Sequence, residues 1–380
     1  MEGFRLANVS LAVDILKMFC EKSKTDNFIF SPLCISSALT LTFKGAKGNT
    51  STEIEKVLHF EKVNDYDFGF QTLTADISRL CSPLKVVKKL YVDSSHKCTK
   101  EFLNSTKKPY PSELESIDIK SRAEEARNQI NASVKDLTDG HMETVLDEDS
   151  LNENTNMVLL GASYLKGCWL YKYNESETKE AEFHISKTET KPVQMMHQEA
   201  QLGFRFVKES NLSVVEIPFE GKQMSMLILL PKTMEDECTG LEKLEKELTY
   251  ENYANWTNPS MLANSKVKLS LPTFKIESCY DLKDTLNSLG IKDAFNEEAA
   301  DFSGMSESKG LSLSQAICKA AIEINEDGYE TPDVSKGRHL MPKTECVVNS
   351  PFIFIVRHNK TQSIFLCGRY RGPSQDCTSS

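Results

Sequence analysis

The chain has 380 residues, of which 39% are hydrophobic and 26% charged, the balance of an ordinary water-soluble globular protein. Forty-five Lys and Arg stand against 55 Asp and Glu, a formal charge of −10. That excess of acid argues against nucleic-acid binding, which needs a concentrated basic face. The 17 Gly and 13 Pro are spread along the length, with no linker, repeat or low-complexity tract, so 1–380 reads as one large domain.

In chain order, Leu11, Ile15, Met18 and Phe19 recur at helical spacing and predict an amphipathic surface helix at the N-terminus. The same stretch lacks a basic region followed by an apolar core and cleavage site, so conventional secretion is not expected. No apolar run approaches the roughly 20 residues of a membrane span. Phe28 to Phe30 read as a short strand, and Ser31-Pro32 as the start of a buried helix from Leu33 to Lys44. A further helix is expected over Glu53 to Leu58, capped by Asn49 or Thr50. Gly45 to Thr50 lacks the spacing of a phosphate loop. The basic groups Lys85, Lys88, Lys89 and Lys107, Lys108 read as solvated strand-edge or helix faces.

Strands dominate the second half. Val158 to Leu165 is a nearly continuous apolar run, as in a strand covered on both faces. Val214–Ile217 and Met224–Leu230 flank the turn Glu220-Gly221-Lys222, and Phe352–Val356 with Ile364–Leu366 flank Asn359-Lys360-Thr361. Val267, Leu269 and Leu271 alternate with polar residues as in a half-buried strand. Helices early and antiparallel hairpins late predict an α+β fold.

No enzyme signature is present: there is no GxSxG elbow, no HExxH and no His-Cys cluster at ligand spacing, so neither catalysis nor a metal or other cofactor is expected. The seven histidines are far apart, and Met195-Met196 before His197 reads as strand filler. The 11 cysteines are scattered without a CxxC pair, which fits small buried hydrophobes in a reducing compartment, the cytoplasm. Asn8, Asn104, Asn174, Asn211, Asn255 and Asn359 begin glycan-acceptor triplets, which go unused without entry to the secretory route.

Several strings nevertheless form a recognisable order: Asn27 to Pro32 with Gly45 to Thr50, Lys166-Gly167-Cys168-Trp169, Glu216-Ile217-Pro218-Phe219, Leu271-Pro272-Thr273-Phe274-Lys275, Ala300 to Met305 and Glu323 to Gly328. Over about residues 4 to 373 the chain resembles the serpins, and its N-terminus resembles their ovalbumin-type intracellular clade. Within that clade Leu137 to His141, Ser176 to Glu180, Lys191 to Met196, Arg357 to Thr361 and Ser133 are close to one branch. The resemblance implies three β-sheets with about nine helices and an exposed reactive-centre loop, here about 328 to 348. In inhibitory members a protease cleaves the loop, whose freed segment then inserts into the large sheet and traps the acylated enzyme.

By the same resemblance, Glu326 and Gly328 with Thr331, Pro332 and Asp333 form the hinge, and Arg338-His339 is the exposed bond offered to a trypsin-like protease. The hinge chemistry opposes insertion. Pro332 has no N–H for a central strand, and each alternating set of residues 329–336 carries an acid, Glu330 or Asp333, whose burial unpaired costs several kcal/mol. From Gly328 to Pro351 is 24 residues, shorter than in inhibitors. In the shutter region that opens to admit the loop, Ser31 is retained, Cys34 replaces a common serine, and Gly161 and Cys318 stand where the family places Asn and His. Losing both polar partners together avoids leaving one buried and unsatisfied. The expectation is a non-inhibitory serpin that needs no cofactor, binds a cell-surface or matrix protein and regulates adhesion, migration or growth as a monomer, with unconventional release to the extracellular space as a second location. The competing expectation is a suicide inhibitor of a trypsin-like serine protease, and a storage or chaperone role has no specific support.

Overall fold

The computed structural model describes residues 1–81, 84–232, 239–330 and 344–374. Its first half runs α1 (Glu2–Lys22), β1 (Phe28–Phe30), α2 (Pro32–Gly45), α3 (Gly48–Leu58), α4 (Tyr66–Ile77), β2 (Leu84–Asp93), α5 (Lys100–Lys107), β3 (Leu114–Ile117) and α6 (Ala123–Leu137). Strands then follow: β4 (Met157–Lys166), β5 (Trp169–Tyr171), β6 (Lys179–His184), β7 (Thr190–Val207), β8 (Leu212–Pro218) and β9 (Met224–Pro231). Two short helices, α7 (Leu241–Glu247) and α8 (Tyr250–Trp256), lead to β10 (Ala263–Pro272), β11 (Phe274–Asp281) and α9 (Lys283–Leu289). The chain ends with β12 (Leu313–Ile324), β13 (Gly328–Glu330), β14 (Thr344–Val347), β15 (Phe352–His358) and β16 (Ile364–Tyr370).

One sheet has five strands in the order β11-β12-β4-β2-β3. All the remaining strands except β5 and β13 join around the long β7, whose first part pairs β6 and β10 and whose last five residues, Gly203–Val207, pair β8. From β8 the order continues β9-β15-β16-β1, and β14 lies on the outer side of β10. β13 pairs β5 in a separate two-stranded sheet, so the described strands form three sheets, the number expected. The hairpins β8–β9 and β15–β16 form as the turn residues predicted, with Gly221 at φ 76 in the first turn. Ser31 caps α2 by accepting the Cys34 N–H at 3.2 Å, and Pro32 occupies the first turn where no N–H is required.

Three local expectations are corrected. α1 is no surface helix with one apolar stripe: Phe4, Ala7, Val9, Ala12, Val13 and Leu16 are buried along with Leu11, Ile15 and Phe19, while Met18 is only partly covered. α1 contacts α2, α3, α7, α8, α9 and β16, so little of its circumference faces water. α3 begins at Gly48 after an N-cap at Lys47 that makes no side-chain cap, because Asn49 bonds Asp293 and Thr50 accepts the Asp301 N–H. Finally, β3 covers only Leu90–Asp93 of β2, and the lysines on the remaining edge are not simply solvated but paired: Lys85 with Asp139 at 2.6 Å, Lys88 with Glu113 at 2.9 Å and Lys89 with Glu115 at 3.4 Å.

Candidate functional site

The hinge begins where β12 leaves the five-stranded sheet. Through Gln315 to Glu323, β12 pairs directly in parallel with Val158 to Lys166 of β4, so the sheet is closed with nothing between them. Beyond it the chain stays zipped to β5. Trp169 N–H donates to the Asp327 carbonyl at 2.9 Å, Tyr173 N–H to Glu326 at 3.1 Å, and Lys172 N–H to Glu330 at 2.8 Å. Side chains reinforce this ladder. Trp169 is fully buried, stacks on Phe219 at 4.8 Å and donates its indole N–H to the Asn325 carbonyl at 2.9 Å. Lys166 pairs with Asp327 at 3.1 Å, and Thr178 donates to the Glu326 carboxylate at 2.7 Å. Gly328 is needed for a steric reason, since a Cβ there would sit on the Lys172 backbone. Tyr329 is left exposed.

The shutter residues lie one layer down. Lys88, Gly161, Cys318 and Tyr280 pair in a single row across β2, β4, β12 and β11. Residues paired across a ladder share a face, and this row faces α1 and α2. Tyr280 packs on Phe19 of α1, while Cys34 of α2 fills the space over Gly161, 2.9 Å from where a Cβ would stand. The Cys34 thiol points to the Ala162 carbonyl at 3.8 Å, and Ser31 donates to the Phe365 carbonyl at 2.8 Å. Burial pushes the Cys34 thiol up to about 11, against the lowering effects of Ser31 and Lys88. Burial, then the neighbouring Cys34, push Cys318 up to about 12.

The structure therefore brings Ser31, Cys34, Gly161 and Cys318 together, and sets Glu326 and Gly328 just beyond the end of β12. Thr331, Pro332, Asp333, Arg338 and His339 lie outside the described residues. Sequence reasoning missed Lys88, which reaches under α2 to Glu113, itself bonded by Ser37 at 3.2 Å. Its only trace in the sequence is a lysine at a position of β2 facing the core. The role of Trp169 in holding the hinge was also unread, although Lys166 to Trp169 was noted as a landmark. Histidines His59, His96, His197 and His358 are bonded to Asp14, Asn156, Ser270 and Thr361. Among the described residues no group of three or more His, Cys, Asp or Glu could hold a metal ion, and no helix is long and apolar enough to cross a membrane.

A closed five-stranded sheet followed by a glycine hinge, with a helix N-terminus wedged beneath the sheet, is serpin architecture. The serpin (serine protease inhibitor) family model matches residues 6–373, and the chain belongs to that family. Within it this is a maspin-like serpin. Serpin B5 of Xenopus tropicalis is 62% identical over 377 residues, 99% of this chain and 100% of the relative. Serpin B5 of Homo sapiens is 50% identical over 375 residues, covering 98% and 100%. A crystal structure of maspin superposes with a TM-score of 0.95 at 49% identity, covering 97% of this chain and 98% of that one.

Proposed function

We propose that this serpin acts as a single-domain, monomeric binding protein and not as a protease trap or an enzyme. The observation that carries the reading is the composition of the segment that follows β13. To insert, that segment must break the β4–β12 ladder and become a central strand. Pro332 lacks the N–H such a strand donates, and insertion would carry Asp333 or Glu330 into the interior at a cost of several kcal/mol. The bonds from Trp169, Lys172 and Tyr173 add to what must be undone first. A trypsin-like protease cleaves after Arg338 and leaves. The partner is a protein at the cell surface or in the matrix, and binding regulates adhesion, migration or growth. Support comes from a solved structure described as a tumour suppressing serpin, with a TM-score of 0.92 at 48% identity over 98% of this chain. The protein resides in the cytoplasm and reaches the extracellular space by an unconventional route.

The test is incubation with trypsin at graded ratios, read by denaturing gel and by the melting temperature of the cleaved product. The reading expects cleavage at Arg338-His339, no SDS-stable complex and an unchanged Tm. A stable complex, or a large rise in Tm after cleavage, would show insertion and establish the competing function, suicide inhibition with Arg338 at the scissile bond.

A further inference from the structure

The shutter of this chain holds two thiols on opposite sides of the layer between α2 and the five-stranded sheet. Cys34 is seated over Gly161, and Cys318 is paired with Gly161 across the parallel ladder, one strand spacing (about 4.8 Å) to its side on the same face. Gly161 contributes no side chain, so no Cβ stands between them. Cys318 is also within electrostatic reach of Cys34 and of the Ser31 backbone, at the first turn of α2. Both residues are free thiols and fully covered, and each is pushed up by burial. Two features favour the thiolate at Cys34 when the site opens: it lies in the first turn of α2, and Lys88 is near enough to lower its pKa.

We propose that Cys34 and Cys318 are a redox-active pair whose disulfide ties α2 to β12 across the shutter. The oxidant is a low-molecular-weight disulfide such as oxidised glutathione. The Cys34 thiolate attacks one of its sulfurs, forming a mixed disulfide and expelling one glutathione thiolate, which takes up a proton. The Cys318 thiolate then attacks Cys34 Sγ, forming the Cys34–Cys318 bond and expelling the second glutathione. Two protein thiols lose two electrons and two protons, and one glutathione disulfide becomes two thiols. Because both sulfurs are covered, the exchange waits on parting of β4 from β12 and lifting of α2, so its rate reads the opening of the shutter. The bond also closes a very long loop, which restricts the unfolded chain and stabilises the native one.

The full-length protein is incubated with excess oxidised glutathione while its tryptophan fluorescence remains native, blocked with N-ethylmaleimide, digested without reduction and mapped by mass spectrometry. The expected result is a linked peptide pair containing Cys34 and Cys318, with an upward shift in Tm that dithiothreitol reverses. Cys34→Ser and Cys318→Ser each abolish both effects, whereas Cys279→Ser, at an exposed thiol, retains them. Mapping of the wild-type protein stands even if a shutter variant fails to fold. Persistent glutathione adducts at either residue, links only between other cysteines, or linkage appearing only once the protein unfolds would each overturn the proposal. None of these outcomes bears on whether the loop inserts.

Discussion

Cys34 of α2 occupies the space that a side chain at Gly161 of β4 would take, with its Cβ 2.9 Å from that position. Helix and sheet are therefore packed through the absence of a side chain, and the contact is with the Cβ of Cys34 itself. Gly161→Ala is expected to destabilise the protein by about 1–3 kcal/mol through overpacking. Cys34→Ala should not relieve it, because it keeps the Cβ, whereas Cys34→Gly in the same chain should recover part of the loss. Urea unfolding of the single and double variants checks this.

Lys88 and Glu113 form a buried pair, their side chains 9% and 7% exposed. Lys88→Met leaves Glu113 covered and uncompensated, for an expected loss of about 3–5 kcal/mol at neutral pH. The double variant Lys88→Met, Glu113→Leu should regain most of it. Burial already raises the Glu113 pKa above 4.5, against the lowering effect of Lys88. The folded state thus holds this proton more tightly than the unfolded one. The Lys88→Met deficit should narrow as pH falls through the raised folded pKa, and a deficit independent of pH would contradict this account.

Asp93 works in the opposite sense. Burial acts to raise its pKa, but the donors Ser95 Oγ–H and the backbone N–H groups of Lys120, Ser95 and Ile119 prevail and hold it below 3.8. Its contribution is present above the unfolded value and is lost as pH falls through the lower folded one. Asp93→Asn should cost about 1–3 kcal/mol at pH 7, with the difference from wild type shrinking in strong acid. Stability curves of both proteins against pH provide the comparison.

At the hinge, Gly328→Ala would drive a Cβ into the Lys172 backbone and unzip β13 from β5. Hydrogen exchange should quicken at the amides of Trp169 and Lys172, which donate to Asp327 and Glu330, while amides along β4 and β12 keep their protection. Unchanged exchange at Lys172 would mean that the hinge is not held by this ladder.

Much of the sheet framework was legible because its patterns are local. The continuous run in β4, the alternation in β10 and the turn residues between β8 and β9 or β15 and β16 each lie within a few residues of one another. The apolar run of α2 and its Ser31-Pro32 start were equally plain. α1 was misjudged because a helix enclosed by so many other elements needs no clean polar face, and its charged residues lie at the margins of the contact. The lysines of β2 were misjudged because a lysine pattern carries no record of the carboxylate it will meet. Glu113 precedes β3 and Asp139 follows α6, and neither proximity has any local trace.

By itself the sequence determined membership of a serpin order of landmarks and the chemistry of the hinge, since a proline's missing N–H and an acid's desolvation cost are properties of the residues wherever they are placed. It also marked Gly161, Cys318 and Cys34 as departures at the shutter. Only the tertiary structure decided that Lys88, Gly161 and Cys318 share one row beneath α2, and that the absent side chain of Gly161 is replaced by Cys34. Strand register and the seating of a helix on a sheet are set by contacts between segments far apart in the chain, and no period or turn within one segment specifies them.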